Sequence, residues 1–317
     1  MRIAVVVIAR NEQATIAGCL ESSRVALEAA GGGEILLVDA GSTDQTAQIA
    51  RSMPGVRVLH VRNQPFHAAV ARNFGLRAAN ADIVQFLDGD MLMERDWLVR
   101  ARAALRSSSV AAVDGWLQER RLKEQPWNAT FGLDWPMDQG DVARMGGAAA
   151  WRRESIEALG GFDEDLPLGE DPDLSLRARA EGMRLVRLPV WMASHDLDLR
   201  SLRDWWRRAV AVGRSRRLVA SRHRVARAPL RRIFAEAAIT TTCLIASILW
   251  LPLAAAIGGL GVARIVRFIR RGLEHGHDLR TSAIHAVHLA AVPVPVALGA
   301  LASRPRIHRS ITSEVAA

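Results

Sequence analysis

The first 90 residues alternate short apolar runs with segments of helical periodicity, and this alternation constrains the fold more than any other feature. Four apolar runs predict buried strands, in the order IAVVVIA, EILLVDA, VRVLHV and DIVQFLD. Helical patterns separate them, at about residues 12–29, after Thr43 and at 68–79. Because helices alternate with strands, we expect an α/β fold whose mostly parallel central sheet is covered on both faces.

Polar side chains follow the predicted strands at the points where the strands end. Arg10 and Glu12 come after the first strand, Asp39 ends the second, and Asp88 ends the fourth. Ligands of such sheets bind beyond the carboxyl ends of the strands, which meet at one edge. The sequence therefore predicts a binding rim at that edge.

The stretch LDGDM places Asp88 and Asp90 one residue apart after the fourth run. A solvated Asp-Gly turn explains one of these carboxylates. Hard cations such as Mg²⁺ take oxygen ligands and leave room for substrate phosphates, so a metal that clamps a diphosphate explains both. The pair by itself leaves the two interpretations open.

Four segments in a fixed order are more specific than any single motif. They are VVVIARNE, LLVDAGSTDQT, VARNFGLRAANADIVQFLDGDM and GGFDEDLPLGEDPDLSLRARAEG, which begin at residues 5, 36, 70 and 160. Together they resemble the family 2 glycosyltransferases over about residues 1–215. The resemblance implies the GT-A nucleotide-sugar-binding fold. It also implies an inverting, metal-dependent enzyme that moves a sugar from a nucleotide-sugar donor, UDP-sugar by default, to an acceptor.

The resemblance also implies which residues hold the donor. Asp39 would hydrogen-bond the nucleobase, with Arg10 and Glu12 close to the nucleoside, although a plain turn residue also explains Asp39. Arg72 opens a helix whose amino terminus would face the diphosphate, and its guanidinium suits phosphate oxygens.

The metal site follows from the same resemblance. Asp90 would ligate a divalent ion, Mg²⁺ or Mn²⁺, that bridges the donor diphosphate, and Asp88 would contact the ribose or a metal-bound water. His195, in VWMASHDLD, is a candidate additional ligand, while a structural role explains a lone histidine equally well.

The resemblance assigns the catalytic base to Asp171, beside Glu170 in GEDPDLSLRARAEG. Adjacent carboxylates raise each other's proton affinity, which suits a base that works near neutral pH. The alternative is an acidic helix start favoured by the helix dipole, and it explains Asp173 better than Asp171. Gly146 and Gly147, in MGGAAAWRR, resemble the segment between the donor and acceptor pockets.

Charge and hydropathy change after residue 200. The first 200 residues carry 23 Lys+Arg and 28 Asp+Glu, whereas the remainder carries 19 and 5. Two uncharged runs, at about 237–263 and 281–303, are longer than the roughly 20 residues that cross a bilayer. Prolines and histidines in these runs keep buried helices of a soluble core as the alternative. We therefore predict a catalytic domain at 1–215, followed at 216–317 by a basic linker and hydrophobic membrane helices.

The arginines ahead of the first apolar run predict that the catalytic domain lies on the cytoplasmic side of the cell (inner) membrane. The segment ARIVRFIRRG, between the two runs, either crosses to the other side or lies in the interface, so the topology stays open. We expect a lipid, lipid-linked or surface-polysaccharide acceptor. A nucleic-acid partner is disfavoured, because the basic segment adjoins apolar runs instead of exposed aromatic residues.

The sequence disfavours two other interpretations of the chain. A nucleotidylyltransferase normally opens with a Gly-rich basic phosphate loop, and VVVIARNEQATIAG has none. A non-catalytic membrane scaffold that kept the fold would not need five acidic residues at the expected positions, which are Asp39, Asp88, Asp90, Glu170 and Asp171.

The segment RDWWRRAVAVG stands where processive members of the family carry a Q-x-x-R-W signature. No glutamine precedes it, which favours transfer of one sugar per acceptor. Its four large side chains, Trp205, Trp206, Arg207 and Arg208, either line an acceptor site at the membrane surface or belong to a docking helix.

Overall fold

A mixed β-sheet organises the protein. The computed structural model describes residues 1–61, 67–122, 125–132, 135–249, 265–267, 269–270 and 279–302 of the 317-residue chain. The strands are β1 Ile3–Ala9, β2 Glu34–Asp39, β3 Val56–His60, β4 Ile83–Asp88, β5 Leu92–Met93, β6 Val110–Glu119, β7 Gly140–Asp141, β8 Ala150–Arg152 and β9 Arg184–His195. Within the described residues they form one sheet in the order β3-β2-β1-β4-β8-β6-β9-β5, with β7 paired to β9.

The four strands predicted from the apolar runs form the parallel half of the sheet. β1 pairs in parallel with β2 and β4, and β2 pairs in parallel with β3. β1 and β4 are buried along nearly their whole length, as strands covered on both faces should be. The register places Asp39 beside Ala9 and Asp88 beside Ile8, so the polar residues meet at one end of the sheet as predicted.

The other half departs from the mostly parallel pattern. β8 runs antiparallel to both β4 and β6, whereas β6 and β9 are parallel. A loop, not a crossover helix, leads into β8, so the chain enters the sheet in the opposite direction. β5 and β7 also pair antiparallel with β9. The sheet is therefore mixed, and the predicted arrangement holds for its first four strands.

Helices cover both faces of the sheet. They are α1 Ile16–Ala29, α2 Thr46–Ser52, α3 Ala68–Ala78, α4 Trp97–Ala104, α6 Arg153–Ala158 and α7 Glu170–Ala180, while the short α5 Ala129–Gly132 follows β6. One core contains side chains of α1 and α4, and the other contains side chains of α3, α6 and α7. α3 lies very close to β1, because a Cβ on Gly75 would be only 2.2 Å from Val6 Cγ1. This close approach brings Arg72 and Asn73 of α3 beneath the polar rim.

The chain continues into further helices, α8 Leu202–Arg222, α9 Arg227–Leu249, α10 Leu279–Ala291 and α11 Pro293–Ala302. α11 crosses α8 at short range through two glycines. A Cβ on Gly213 would lie 1.8 Å from the carbonyl oxygen of Val296, and one on Gly299 would lie 2.0 Å from that of Val210. α8 runs without a break through residue 215, and the domain boundary there stays a prediction.

The described helices include no single one that is both long and apolar enough to cross a membrane. The segments Thr281–His288 and Pro293–Ala302 meet that requirement only together, across a bend of 44°. The predicted run at 237–263 is described to Leu249, and its remainder lies outside the described residues, as does much of ARIVRFIRRG. The two membrane helices stay a prediction.

Candidate active site

Three potential metal ligands meet where β4 and β9 end. Asp88 is the last residue of β4, Asp90 lies two residues further on, and His195 is the last residue of β9. The pairing of Leu92 with Ser194 brings Asp90 next to His195. Ligating atoms of the three side chains lie within 4.8 Å of one another, and His195 Nε2 is 3.3 Å from Asp90 Oδ2. The structure thus brings together the residues that the sequence proposed as ligands.

Burial dominates the electrostatics of this cluster. It raises the pKa of Asp90 to about 8, and the charges of Asp88 and Glu12 act in the same direction. Burial also lowers the pKa of His195 to about 4, so the imidazole is neutral near pH 7 and has a lone pair for a metal.

Two atoms of the cluster lack partners. Asp90 Oδ1 and His195 Nδ1 are buried and have no hydrogen-bond partner among the described residues. Buried polar atoms are normally paired, because leaving one unpaired is unfavourable. Two carboxylates and a neutral imidazole can hold a divalent cation such as Mn²⁺. These residues therefore fit the metal that the sequence predicts.

A buried arginine joins this cluster to the acidic start of α7. Arg72 is 3% exposed, and its NH1 donates to Glu170 Oε1 at 2.7 Å and to Asp171 Oδ1 at 3.1 Å. Its NH2 donates to Asp88 Oδ1 at 2.9 Å. The guanidinium fits because Gly147 has no side chain: a Cβ there would lie 2.1 Å from Arg72 NH2.

These contacts of Arg72 differ from what the sequence predicts. The prediction directs its guanidinium at a donor diphosphate, whereas the structure shows it shared among three carboxylates. Two of them lie 98 and 99 residues further along the chain. A signal was present in the sequence, since Arg72 falls on the apolar face of α3 and a buried charge requires buried partners. The sequence does not say which carboxylates those partners are.

α7 begins at the two acids that the sequence singles out. Gly169 precedes them with φ of 92°, a left-handed conformation that favours glycine. Burial raises the pKa of Asp171 to about 8, with Glu170 and Asp88 acting in the same direction and Arg72 opposing them. A carboxyl group with this proton affinity suits the removal of a proton near neutral pH.

Asp173 has a separate, structural role. Its Oδ1 lies 2.7 Å from His223 Nε2, and its Oδ2 accepts a hydrogen bond from Arg177 Nε at 2.8 Å. Because His223 directly follows α8, this contact attaches the end of α8 to α7. The acidic start of α7 therefore combines a structural acid with the two acids at the site.

Two loops at the ends of β1 and β2 hold each other in place. Asn11, with φ of 60°, accepts a hydrogen bond from Thr43 N at 2.8 Å, and its own backbone N donates to Ser42 Oγ at 2.9 Å. Asp39 is 4% exposed and accepts hydrogen bonds from Ser42 N at 3.3 and 3.4 Å. The carboxylate predicted to bind the nucleobase is thus fixed at the rim.

Glu12 and Arg10 lie along the same rim. Burial raises the pKa of Glu12, and a Cβ on Gly89 would lie 3.2 Å from Glu12 Cγ, so Glu12 packs beside the Asp88–Asp90 turn. Arg10 directly follows β1 and is exposed. The predicted donor residues Arg10, Glu12, Asp39 and Asp88 therefore border one edge of the sheet.

A cleft of about 410 Å³ adjoins this rim. Its lining includes Asp88, His195, Gly146, Gly147 and Pro172, the residue after Asp171. Two of the three metal-ligand candidates and the residue next to the candidate base therefore border one cavity, as a reaction between a bound donor and an acceptor requires.

The cleft also contains an ion pair that the sequence did not reveal. Arg187 donates from Nε and NH2 to the two oxygens of Asp114 at 2.9 and 2.7 Å, and both side chains are buried. Burial raises the pKa of Asp114 to about 6 in spite of Arg187. Asp114 and Arg187 each lie within a largely apolar strand. A charged residue in such a strand is the sequence signal that predicts a buried ion pair.

α8 reaches the cleft through Arg208. This residue lines the cavity, and its guanidinium carbon lies 5.4 Å from the centre of the Phe131 ring. Trp135 lines the same cavity and meets the ring of His195 edge-on at 5.3 Å. Of the four large residues in RDWWRR, Arg208 is therefore placed to face a substrate.

The chain is similar to proteins whose names describe sugar transfer. The sequence profile of "Glycosyl transferase family 2" matches residues 4–159. Pre-mycofactocin glycosyltransferase of Mycobacterium tuberculosis is 31% identical over 241 residues, which are 72% of this chain and 49% of the relative. O-antigen chain rhamnosyltransferase WbaN of Salmonella anatum is 27% identical over 168 residues, 48% of this chain and 53% of the relative. The chain spans about half the length of these curated relatives.

Solved structures share the fold. The mannosyltransferase PcManGT from Pyrobaculum calidifontis, in complex with GDP-Man and Mn²⁺, matches with a TM-score of 0.63 and 22% identity, over 95% of this chain and 87% of that one. S. aureus TarS 1-349 in complex with UDP matches with a TM-score of 0.52 and 19% identity, over 68% and 65% of the two chains. At these identities the similarity concerns the fold.

Proposed function

The chain belongs to glycosyl transferase family 2 through residues 4–159, and on that premise we propose that it is an inverting glycosyltransferase. It would move a sugar from a nucleotide-sugar donor, by default a UDP-sugar, to an acceptor hydroxyl or phosphate. One observation carries the proposal. Asp88 and His195 of the metal-ligand cluster line the same cleft as Pro172, the residue after Asp171, and Arg72 pairs with both Asp88 and Asp171.

The donor would lie along the rim formed by the ends of β1, β2 and β4. Asp39 would bind the nucleobase, and Glu12 and Asp88 would border the path from the nucleoside to the cleft, which their positions at the ends of neighbouring strands support. Gly146 leaves that wall of the cleft open, which would give the sugar room, whereas Arg72 and Asp171 occupy the space beside Gly147.

Asp171 would take the proton from the acceptor as its oxygen attacks the anomeric carbon in a single displacement. Its raised pKa gives it the proton affinity for this step. Arg72 holds the carboxylate in place through NH1 and keeps it connected to Asp88 through NH2. Glu170, bound to the same NH1, keeps the guanidinium in position.

Asp88, Asp90 and His195 would hold a divalent cation, Mg²⁺ or Mn²⁺. When bound, such an ion supplies Lewis-acid stabilisation of the charge that develops on the departing diphosphate. Arg208, on the wall of the same cleft, adds a fixed positive charge near that end of the donor.

The acceptor would be a lipid, a lipid-linked sugar or a surface polysaccharide at the cytoplasmic face of the inner membrane. Support comes from α8 and the short segment between α8 and α9, where exposed arginines accompany exposed apolar residues. These apolar residues are Leu202, Trp206 and Val225, which are 60%, 42% and 71% exposed. Such mixed surfaces suit the interface of an anionic membrane.

Nucleotide binding and turnover together test the proposal. Calorimetric titration with UDP, GDP and dTDP, each with and without Mn²⁺, should show one nucleotide that binds tightly only with the metal, and Asp90→Asn should abolish that dependence. Asp171→Asn should bind the same nucleotide as the wild type, but its rate of sugar release from the donor should fall by about 10²–10⁴-fold. Asp165→Asn, which changes an exposed acid before α7, is the matched control. Absence of nucleotide binding, or full turnover by Asp171→Asn, would contradict the proposal.

A further inference from the structure

A second cavity is bordered by α8 and α10. Its volume is about 290 Å³, and its lining is almost entirely apolar, including Trp127, Leu202, Trp205, Ile284 and Val287. We call it the α8–α10 pocket. The indole nitrogen of Trp205 donates a hydrogen bond to His288 Nδ1 at 2.6 Å, so these two polar atoms of the lining are paired with each other. The cavity opens to solvent beside Leu202 and Val287, which are 60% and 55% exposed.

The α8–α10 pocket is adjacent to the catalytic cleft. Trp205 lines the pocket, and Arg208, three residues later on α8, lines the cleft. The separation along the helix is therefore about 5 Å. Phe131 lies between them, since its ring is 4.6 Å from that of His288 and 5.4 Å from the guanidinium carbon of Arg208. The two cavities are therefore neighbours, with the Phe131 ring between them.

We propose that the α8–α10 pocket binds the alkyl or isoprenoid chain of a lipid phosphate whose polar end reaches the catalytic cleft. The inference rests on the proposed transferase function and specifies its acceptor. A glycan or peptide backbone would leave its polar groups unpaired against this lining, whereas a hydrocarbon chain has none. The lining therefore selects for an apolar chain.

Charge around the opening suits the other end of such a molecule. Arg203 and Arg207 are exposed on the same turns of α8 as Leu202 and Trp206, and Arg208 faces the cleft. Guanidinium groups pair well with phosphate oxygens, and exposed arginines attract anionic lipid surfaces. The helix thus presents an apolar pocket and a cationic border to one ligand.

Alkyl phosphates of increasing chain length, kept below their micelle concentrations, test the proposal directly. Binding to the full chain is measured by calorimetry. Affinity should rise about four-fold for each added methylene until the pocket is full, and should then level off. Ala283→Phe fills the pocket and should remove the dependence on chain length. Val287→Glu places a charge at the exposed opening and should do the same without disturbing the interior. Ala238→Phe, at an exposed position of α9, should behave as the wild type.

UDP and Mn²⁺ binding to the same variants separates this inference from the proposed function. Ala283→Phe and Val287→Glu should bind nucleotide as the wild type does. If nucleotide binds but alkyl phosphates show no dependence on chain length, the pocket is not a lipid site and the transferase function stands. If nucleotide does not bind to the wild type, the proposed function itself fails. Binding of alkyl phosphates only after removal of residues 303–317 would assign the pocket to the chain's own tail and overturn the inference.

Discussion

Replacement of Arg72 by methionine is the sharpest test of the site. Methionine keeps much of the apolar stem but leaves Asp88, Glu170 and Asp171 without their shared positive charge. Removing one partner of a buried ion pair is destabilising by about 3–5 kcal/mol, because the remaining charge stays buried and uncompensated. Since Arg72 is 3% exposed, water has little access to replace it. We therefore expect Arg72→Met to lower the free energy of unfolding by about 3–5 kcal/mol near pH 8.

The loss should shrink as the pH falls. Arg72 lowers the pKa of Asp171, which burial nevertheless raises to about 8, so removal of Arg72 should raise that pKa further. A carboxyl group whose pKa is higher in the folded than in the unfolded protein contributes stability at low pH. That contribution is lost as the pH rises through the folded value. The variant should therefore lose less stability at about pH 5 than near pH 8.

Urea denaturation of the wild type and Arg72→Met at the two pH values measures both effects. Arg77→Met is the matched control on the same helix. The Arg77 side chain is 61% exposed, and its contact with Glu164 should contribute less than about 1 kcal/mol. If Arg72→Met is no less stable than Arg77→Met near pH 8, or if its loss does not depend on pH, this guanidinium does not hold the three carboxylates.

Three further outcomes follow from the same geometry. Gly147→Ala should lower kcat in steady-state assays by about tenfold or more, because its Cβ would lie 2.1 Å from Arg72 NH2. Gly146→Ala is the control, since its Cβ meets open space and should have a much smaller effect on kcat. The kcat/KM should rise with pH toward about 8, since Asp171 accepts a proton only when ionised and burial raises its pKa to about 8; a flat pH–rate profile would exclude this base. Gly299→Ala should weaken the packing of α11 on α8, because its Cβ would lie 2.0 Å from Val210 O. Its Tm in thermal unfolding should be lower than that of Leu298→Ala, which changes an exposed position of the same helix.

The first four strands were predictable because their physical signal is local. Each is a short apolar run bounded by polar or helical residues, and a strand buried on both faces has no other pattern to show. The same local reasoning located Asp39 and Asp88 at strand ends, where the register confirms them side by side around β1. Asp90 and His195 were proposed as ligands from a resemblance, and the β5–β9 pairing explains why they meet.

The remaining features depend on contacts between distant parts of the chain. β8 is three residues long and pairs antiparallel on both sides, which no periodicity in three residues can indicate. Arg72 finds its partners 16, 98 and 99 residues away. The glycines at 213 and 299 permit a helix crossing that depends on both positions at once. In each case the sequence supplies a suitable residue, and only the fold supplies its neighbour.

The charge of the rim determines what must accompany an anionic donor. Five carboxyl groups lie close together, on Glu12, Asp88, Asp90, Glu170 and Asp171, and three of them already share Arg72. Burial raises the pKa values of Asp90 and Asp171, and the neighbouring carboxylates raise them further. A diphosphate brings further negative charge to this edge. We therefore expect nucleotide affinity to depend on a cation bound near Asp90, and to weaken without one as rising pH ionises Asp90.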